Sequence, residues 1–94
     1  MSLDTVRAEI SRVDTEIIRL IAQRQKLAVK IAQIKIAKGI PIHDQERTTK
    51  VLESVFGQAV EARIDPVAAQ KIFEMLIAMS EDRQRECSGN GNLP

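Results

Sequence analysis

Arg24 interrupts an otherwise aliphatic row. Leu3, Val6, Ile10, Val13, Ile17 and Leu20, then Leu27, Ile31 and Ile34, recur at alternating three- and four-residue steps, and Arg24 falls where that spacing asks for another aliphatic. Lys35 follows eleven residues later, three helical turns and only about 20° of rotation on, so the two cations leave nearly the same face. Extending the apolar rows of the later helical stretches by one turn adds more polar groups to inner faces. Arg47 stands four before Val51 and Thr48 four before Leu52, while the row Ile72, Phe73, Leu76, Ile77 runs on into Ser80 and Gln84. None of Arg24, Lys35, Arg47, Ser80 and Gln84 is an acid. Burying cations without partners is expensive, so the set calls for an anionic ligand, most simply one with two carboxylates. Arg suits bidentate carboxylate binding, and Lys serves as a point charge.

Arg7 is a separate case. It stands seventeen residues before Arg24 and is turned by about 100° from it, so on a straight helix it cannot serve the same pocket. In an antiparallel pairing it could reach the pocket of a second copy. Each of these residues has a plainer reading when taken singly. A seam Arg can set coiled-coil register or snorkel to solvent, and polar groups in a last helical turn often face water. His43 reads as a connector residue without a role, and Asp44 first of all as a helix cap.

The elements that must position this set are helices. Residues 3–38 hold neither Gly nor Pro, and Ser2 or Asp4 can cap their start, while Gly39 suits the left-handed position that ends a helix. Ile40-Pro41-Ile42-His43 is an extended connector, since the residue before Pro is pushed out of the helical region. A second helix is expected from Asp44 to about Val60, with Val51, Leu52, Val55 and Phe56 as its stripe. Asp65-Pro66 then pairs a cap with Pro at the first helical position, opening a third helix to about Glu86 whose face carries Ala69, Ile72, Phe73, Leu76 and Ile77. The fold class is all-α: one very long N-terminal helix and two shorter ones, forming a domain over residues 1–87, with a disordered tail over 88–94. At about 1.5 Å per residue the first helix would span roughly 54 Å, longer than the ~30–35 Å of a compact monomer of this size. An apolar stripe does not end in water without cost, so the overhang is expected to pack on a second copy in an intertwined homodimer.

Composition narrows the function class. The 94 residues are 44% apolar and 29% charged, as in a soluble single domain. A net charge of +1 and only two aromatics, both Phe, argue against nucleic-acid binding, because neither a basic excess nor a stacking platform is present. The single Cys87 cannot form an internal bridge, which fits a reducing compartment. Charges every few positions in the first thirty residues leave no apolar signal core, and no run approaches a membrane span. A cytoplasmic protein without metal or cofactor is expected.

The polar positions, in order and spacing, resemble those of the all-helical chorismate mutases. The resemblance rests on Arg7-x2-Ile10-x3-Asp14, Leu20-Ile21-Ala22-Gln23-Arg24, Leu27-Ala28, Ile34-Lys35, Ile40-Pro41-Ile42-x-Asp44-x2-Arg47 and Ile72-Phe73-x3-Ile77-x2-Ser80-x3-Gln84. It covers roughly residues 3–86 and implies a dimer intertwined through the first helix, with two sites that each take one Arg from the opposite chain. It implies the rearrangement of chorismate to prephenate, on the route to phenylalanine and tyrosine. Arg24 and the partner chain's copy of Arg7 would clamp one carboxylate, with Arg47 and Ser80 near the other. Lys35 and Gln84 would donate to the ether oxygen, and Asp44 would help hold the ring hydroxyl. The inventory agrees, since a sigmatropic rearrangement needs no nucleophile, metal or cofactor. Thr48 departs from the pattern, standing where the mutases commonly place a Glu, so the ring-hydroxyl end has a neutral hydroxyl in place of a charge. Isochorismate-pyruvate lyases, which share the fold, and a catalytically silent helical dimerisation or regulatory module are the alternative readings.

Overall fold

Three helices and their caps account for nearly all of the ordered backbone in the computed structural model, which describes residues 1–88. The tail expected over 88–94 lies, apart from Ser88, outside the described residues. Helix α1 runs Leu3–Lys38, and Ser2 is its cap: Ser2 Oγ accepts from the Thr5 amide at 3.1 Å. Its end is set by Gly39, whose φ of 67° is left-handed. There the Gly39 amide donates to the Ile36 carbonyl and the Ile40 amide to the Lys35 carbonyl, closing the last turn. A side chain at position 39 would be strained by that φ although the space beside it is open.

Helix α2 covers Gln45–Glu61 and α3 covers Pro66–Cys87. Both begin where local chemistry demands. Asp44 Oδ1 accepts from the Arg47 amide at 3.1 Å, and Asp65 Oδ1 accepts from the amides of Val67 and Ala68 at 2.9 and 3.3 Å. Pro66 follows as the first residue of α3, where its missing N–H costs nothing. Both α2 and α3 extend one residue past their expected ends. Between α2 and α3 the chain turns through Arg63, a non-glycine residue at φ 62°. The Arg63 amide donates to the Val60 carbonyl and the Ile64 amide to the Ala59 carbonyl, so the turn needs a left-handed residue at 63. An L side chain there costs about 1 kcal/mol. Arg63→Gly is therefore expected to raise Tm by a few degrees, measurable by thermal denaturation.

Helix α3 packs on both α1 and α2. The crossings are made by small residues: Ala28 and Ala32 of α1 are each 1% exposed, and Ala59 and Ala69 are buried with Val55, flanked by Val51 and Phe73. Ala at a crossing lets two backbones approach closely, which explains a difference from the periodicity reading. The aliphatics Leu27, Ile31 and Ile34, set about 60–120° round α1 from Ala28, stay 41–54% exposed. Phe56 and Ile72, expected on the inner stripes, are likewise exposed, because α3 meets α1 and α2 through the alanines beside them. Among the described residues no helix is long and apolar enough to cross a membrane. The chain measures 54 × 31 × 15 Å with a radius of gyration of 16.5 Å, against about 12 Å for a compact domain of this length. Its short dimension is little more than one helix diameter.

Candidate active site

Where the three helices and the α1–α2 connector meet lies a cleft of about 180 Å³. Helix α1 lines it with Arg24, Ile31 and Lys35, and the connector adds Ile42 and Asp44. Arg47, Thr48 and Val51 face it from α2, and Ile77, Ser80, Glu81 and Gln84 from α3. Arg24, Lys35, Asp44, Arg47, Thr48, Ser80 and Gln84, all singled out by spacing or resemblance, thus border one cavity. Arg7 does not. It is exposed, borders neither this cleft nor the hollow between α2 and α3, and lies about 25 Å along the axis of α1 from Arg24.

The cleft residues are held by different means. Arg24 is half-buried; its Nη1 donates to the Leu76 carbonyl at 3.3 Å and its guanidinium stands 5.9 Å from the Phe73 ring centroid, a cation–π distance. Lys35 sits in the last turn of α1, and Gly39 turns the chain back so that the Ile42 carbonyl takes a hydrogen bond from Lys35 Nζ at 2.5 Å. Asp44 keeps its capping duty, which leaves the Arg47 and Thr48 side chains in the first turn of α2 beside the cavity.

Gln84 carries the sharpest signal of the site. It is 4% exposed, its Nε2 donates to Ser80 Oγ at 3.1 Å, and its Oε1 is buried without a hydrogen-bond partner. Turning the amide over exchanges the ends: Ser80 then donates to Oε1 and the NH2 group is left free. Either way one polar end of a buried amide is unpaired, a costly condition that a ligand atom in the cleft relieves.

Among the described residues, neither Arg24, Lys35 nor Arg47 forms an ion pair with an acid. Asp44 is expected at the site through the resemblance, but Glu81 is an acid in the lining that the reading of the spacing does not include. Glu81 follows Ile77 by four and so continues the same inner row as Ser80, a signal the sequence held. Its carboxylate is already engaged: Oε2 lies 2.9 Å from His43 Nδ1 and Oε1 3.5 Å from Arg85 Nη2. The hydrogen bond to Glu81, and after it the one to Gln45, raises the His43 pKa above the usual imidazole value. His43, read from sequence as a residue without a role, is therefore a link between connector and α3. Because Glu81 is occupied and Asp44 caps α2, the three cations remain available to an anion.

Three cations with no acidic partner among the described residues, hydroxyls and a buried amide around a cavity between helices suit a small polyanion, oriented by charge and hydrogen bonds. Residues 6–85 match the model of the chorismate mutase type II family, and the chain belongs to that family. It is 34% identical over 84 residues to a chorismate mutase of Methanocaldococcus jannaschii, an alignment covering 89% of this chain and 85% of that one. It is also 43% identical over 53 residues to a bifunctional chorismate mutase/prephenate dehydratase of Aquifex aeolicus, covering 56% of this chain and 15% of that protein. A bifunctional enzyme of the same description from Buchnera aphidicola (Acyrthosiphon pisum) is 31% identical over 98 residues, 99% of this chain and 26% of its own. The chain thus spans about a quarter or less of these two bifunctional relatives.

Proposed function

We propose that this protein is a chorismate mutase, an isomerase that rearranges chorismate to prephenate for aromatic amino-acid synthesis in the cytoplasm. The observation that carries the reading is the convergence of Arg24, Lys35, Arg47, Ser80 and Gln84 on one cleft in which no acid pairs with the three cations. The reaction breaks a C–O bond and makes a C–C bond within one molecule, so no proton has to move and no group leaves. What the protein must do is hold a flexible dianion in its folded, reactive conformer and place donors where negative charge grows. Arg24 clamps one carboxylate, and Arg47 with Ser80 attends the other. Lys35 Nζ and the Gln84 amide donate to the ether oxygen. Asp44 and Thr48 border the end of the cleft that takes the ring hydroxyl, where Thr48 offers one neutral hydrogen bond.

The working form is a homodimer intertwined through α1. Supporting this are the exposed apolar stripe of its N-terminal half, with Ile10, Val13 and Ile17 about half exposed, and a second, mostly apolar hollow of about 380 Å³ between α2 and α3 that holds Val55, Ala59, Ala69 and Phe73. A layer one helix thick has no second layer to form a core; a second copy supplies it. The same arrangement brings the partner chain's copy of Arg7 to the cleft.

Incubating pure protein separately with chorismate and isochorismate and identifying the products tests the reading. Prephenate from chorismate is expected; pyruvate and salicylate from isochorismate would assign a lyase, and no turnover of either would leave a binding module. Since the Gln84 amide at the ether oxygen is neutral at every working pH, kcat should vary little between about pH 5 and 8. A steep acid limb in kcat would contradict the assigned donors.

A further inference from the structure

The α1–α2 connector forms one end of the cleft, yet few interactions hold it. It supplies the Ile42 carbonyl that receives Lys35 Nζ, the Ile42 side chain and the cap Asp44. Its side-chain bond to α3 is made by His43 Nδ1 and Glu81 Oε2, at 2.9 Å and across 38 residues of sequence. Glu81 sits between Ser80 and Gln84 on the cleft face of α3 and is 16% exposed, whereas His43 is 53% exposed. The bond therefore joins two walls of the cavity from its rim.

We propose that His43 and Glu81 form a clasp that fixes the connector against α3, and that this clasp sets where the connector wall of the cleft, the Ile42 side chain and Asp44, stands when the substrate binds. His43 is thus a positioning residue: it acts on the ligand through Ile42 and Asp44. The inference rests on the function proposed above.

The clasp is sensitive to pH by construction. Facing His43 from α3 are Glu81 and Arg85; on its own side stand Asp44 and Gln45, and from α1 Lys35 reaches the neighbouring Ile42 carbonyl. Glu81 and Gln45 favour the imidazolium and Arg85 opposes it, and the balance raises the His43 pKa. A group whose pKa is higher in the folded state contributes its full stabilisation below its unfolded pKa of about 6.5 and loses it as pH rises through the folded value. Deprotonation removes the ion-pair attraction and leaves a neutral imidazole donating to the carboxylate, a weaker bond. The clasp is therefore tightest below about pH 6.5 and slackens above the folded pKa. Since the wall that His43 holds borders the bound ring and not the ether oxygen, KM should feel the change and kcat should not.

His43 is the sole histidine of the chain, so its titration can be followed directly by the imidazole proton resonances in NMR. The expected result is a folded-state pKa above the ordinary value, returning toward about 6.5 in Glu81→Gln. In parallel, wild-type KM for chorismate should rise roughly two- to five-fold as pH passes through that pKa, with kcat unchanged. His43→Ala should show the raised KM at every pH. His43→Gln, which keeps a neutral donor, should give a flat and intermediate KM. A His43 pKa at or below the ordinary value, or a wild-type KM that is flat with pH and matched by His43→Ala, overturns the clasp. A wild type that makes no prephenate overturns the assigned reaction instead, and the NMR titration with Glu81→Gln then decides the clasp by itself.

Discussion

Lys35→Ala is expected to lower kcat by about 10²- to 10³-fold while changing KM for chorismate far less, because a donor aimed at charge that develops only in the transition state lowers the barrier more than it strengthens binding. Lys35 stands in the last turn of α1 with its ammonium tethered to the Ile42 carbonyl, and it forms no ion pair with an acid among the described residues. It therefore offers its charge at a fixed place. Steady-state kinetics on the purified variant, beside thermal melting to verify folding, gives the answer. Equal losses in kcat and in affinity would make Lys35 a binding group for a carboxylate, and the ether-oxygen role would fall.

Mixing two inactive variants should restore activity. Arg7→Ala and Arg24→Ala are each expected to lose roughly 10²-fold in kcat/KM, the removal of one charged partner from a desolvated pair costing about 3 kcal/mol. If the copy of Arg7 that completes a site comes from the other subunit, a mixed dimer contains one site with both arginines intact and one with neither. After equimolar unfolding and refolding together, about half of the dimers are mixed, so roughly a quarter of wild-type activity should return. A mixture no more active than the separate variants would place Arg7 outside the site. The geometry makes the distinction clean, since Arg7 and Arg24 of one chain are separated by about 25 Å of continuous helix and cannot meet at one ligand.

Local chemistry made much of the fold legible. Gly39, Asp44 and the pair Asp65-Pro66 mark helix ends because each satisfies, or is excused from, a backbone hydrogen bond within a few residues, and the structure puts the ends there. Of the two candidate caps for α1, Ser2 is the one that binds an amide. Periodicity also placed Arg24, Lys35, Arg47, Ser80 and Gln84 toward one another, since a row of side chains on a helix continues in one direction whatever covers it. It could not say what lies opposite. Leu27, Ile34, Phe56 and Ile72 share the apolar spacing yet remain exposed in the single chain, because the contacts fall on Ala28, Ala32, Ala59 and Ala69. Glu81 was readable from its place four residues after Ile77, whereas its partnership with His43 depends on how a connector folds across 38 residues and leaves no periodic trace.

The alanines at the crossings also settle a question of scale. Ala28 and Ala32 are sealed against α3, and their small side chains let the two helix axes approach toward the lower end of the usual 8–10 Å range. The groups of α1 proposed to meet the ligand, Arg24 and Lys35, flank those methyls on one helix, and Ser80 and Gln84 stand on the other. The gauge of the gap proposed to admit a ring and two acid groups therefore depends in part on side chains that need not touch what is admitted. Selectivity for molecular size can drift by exchanging an alanine for a bulkier neighbour while every charged residue stays in place.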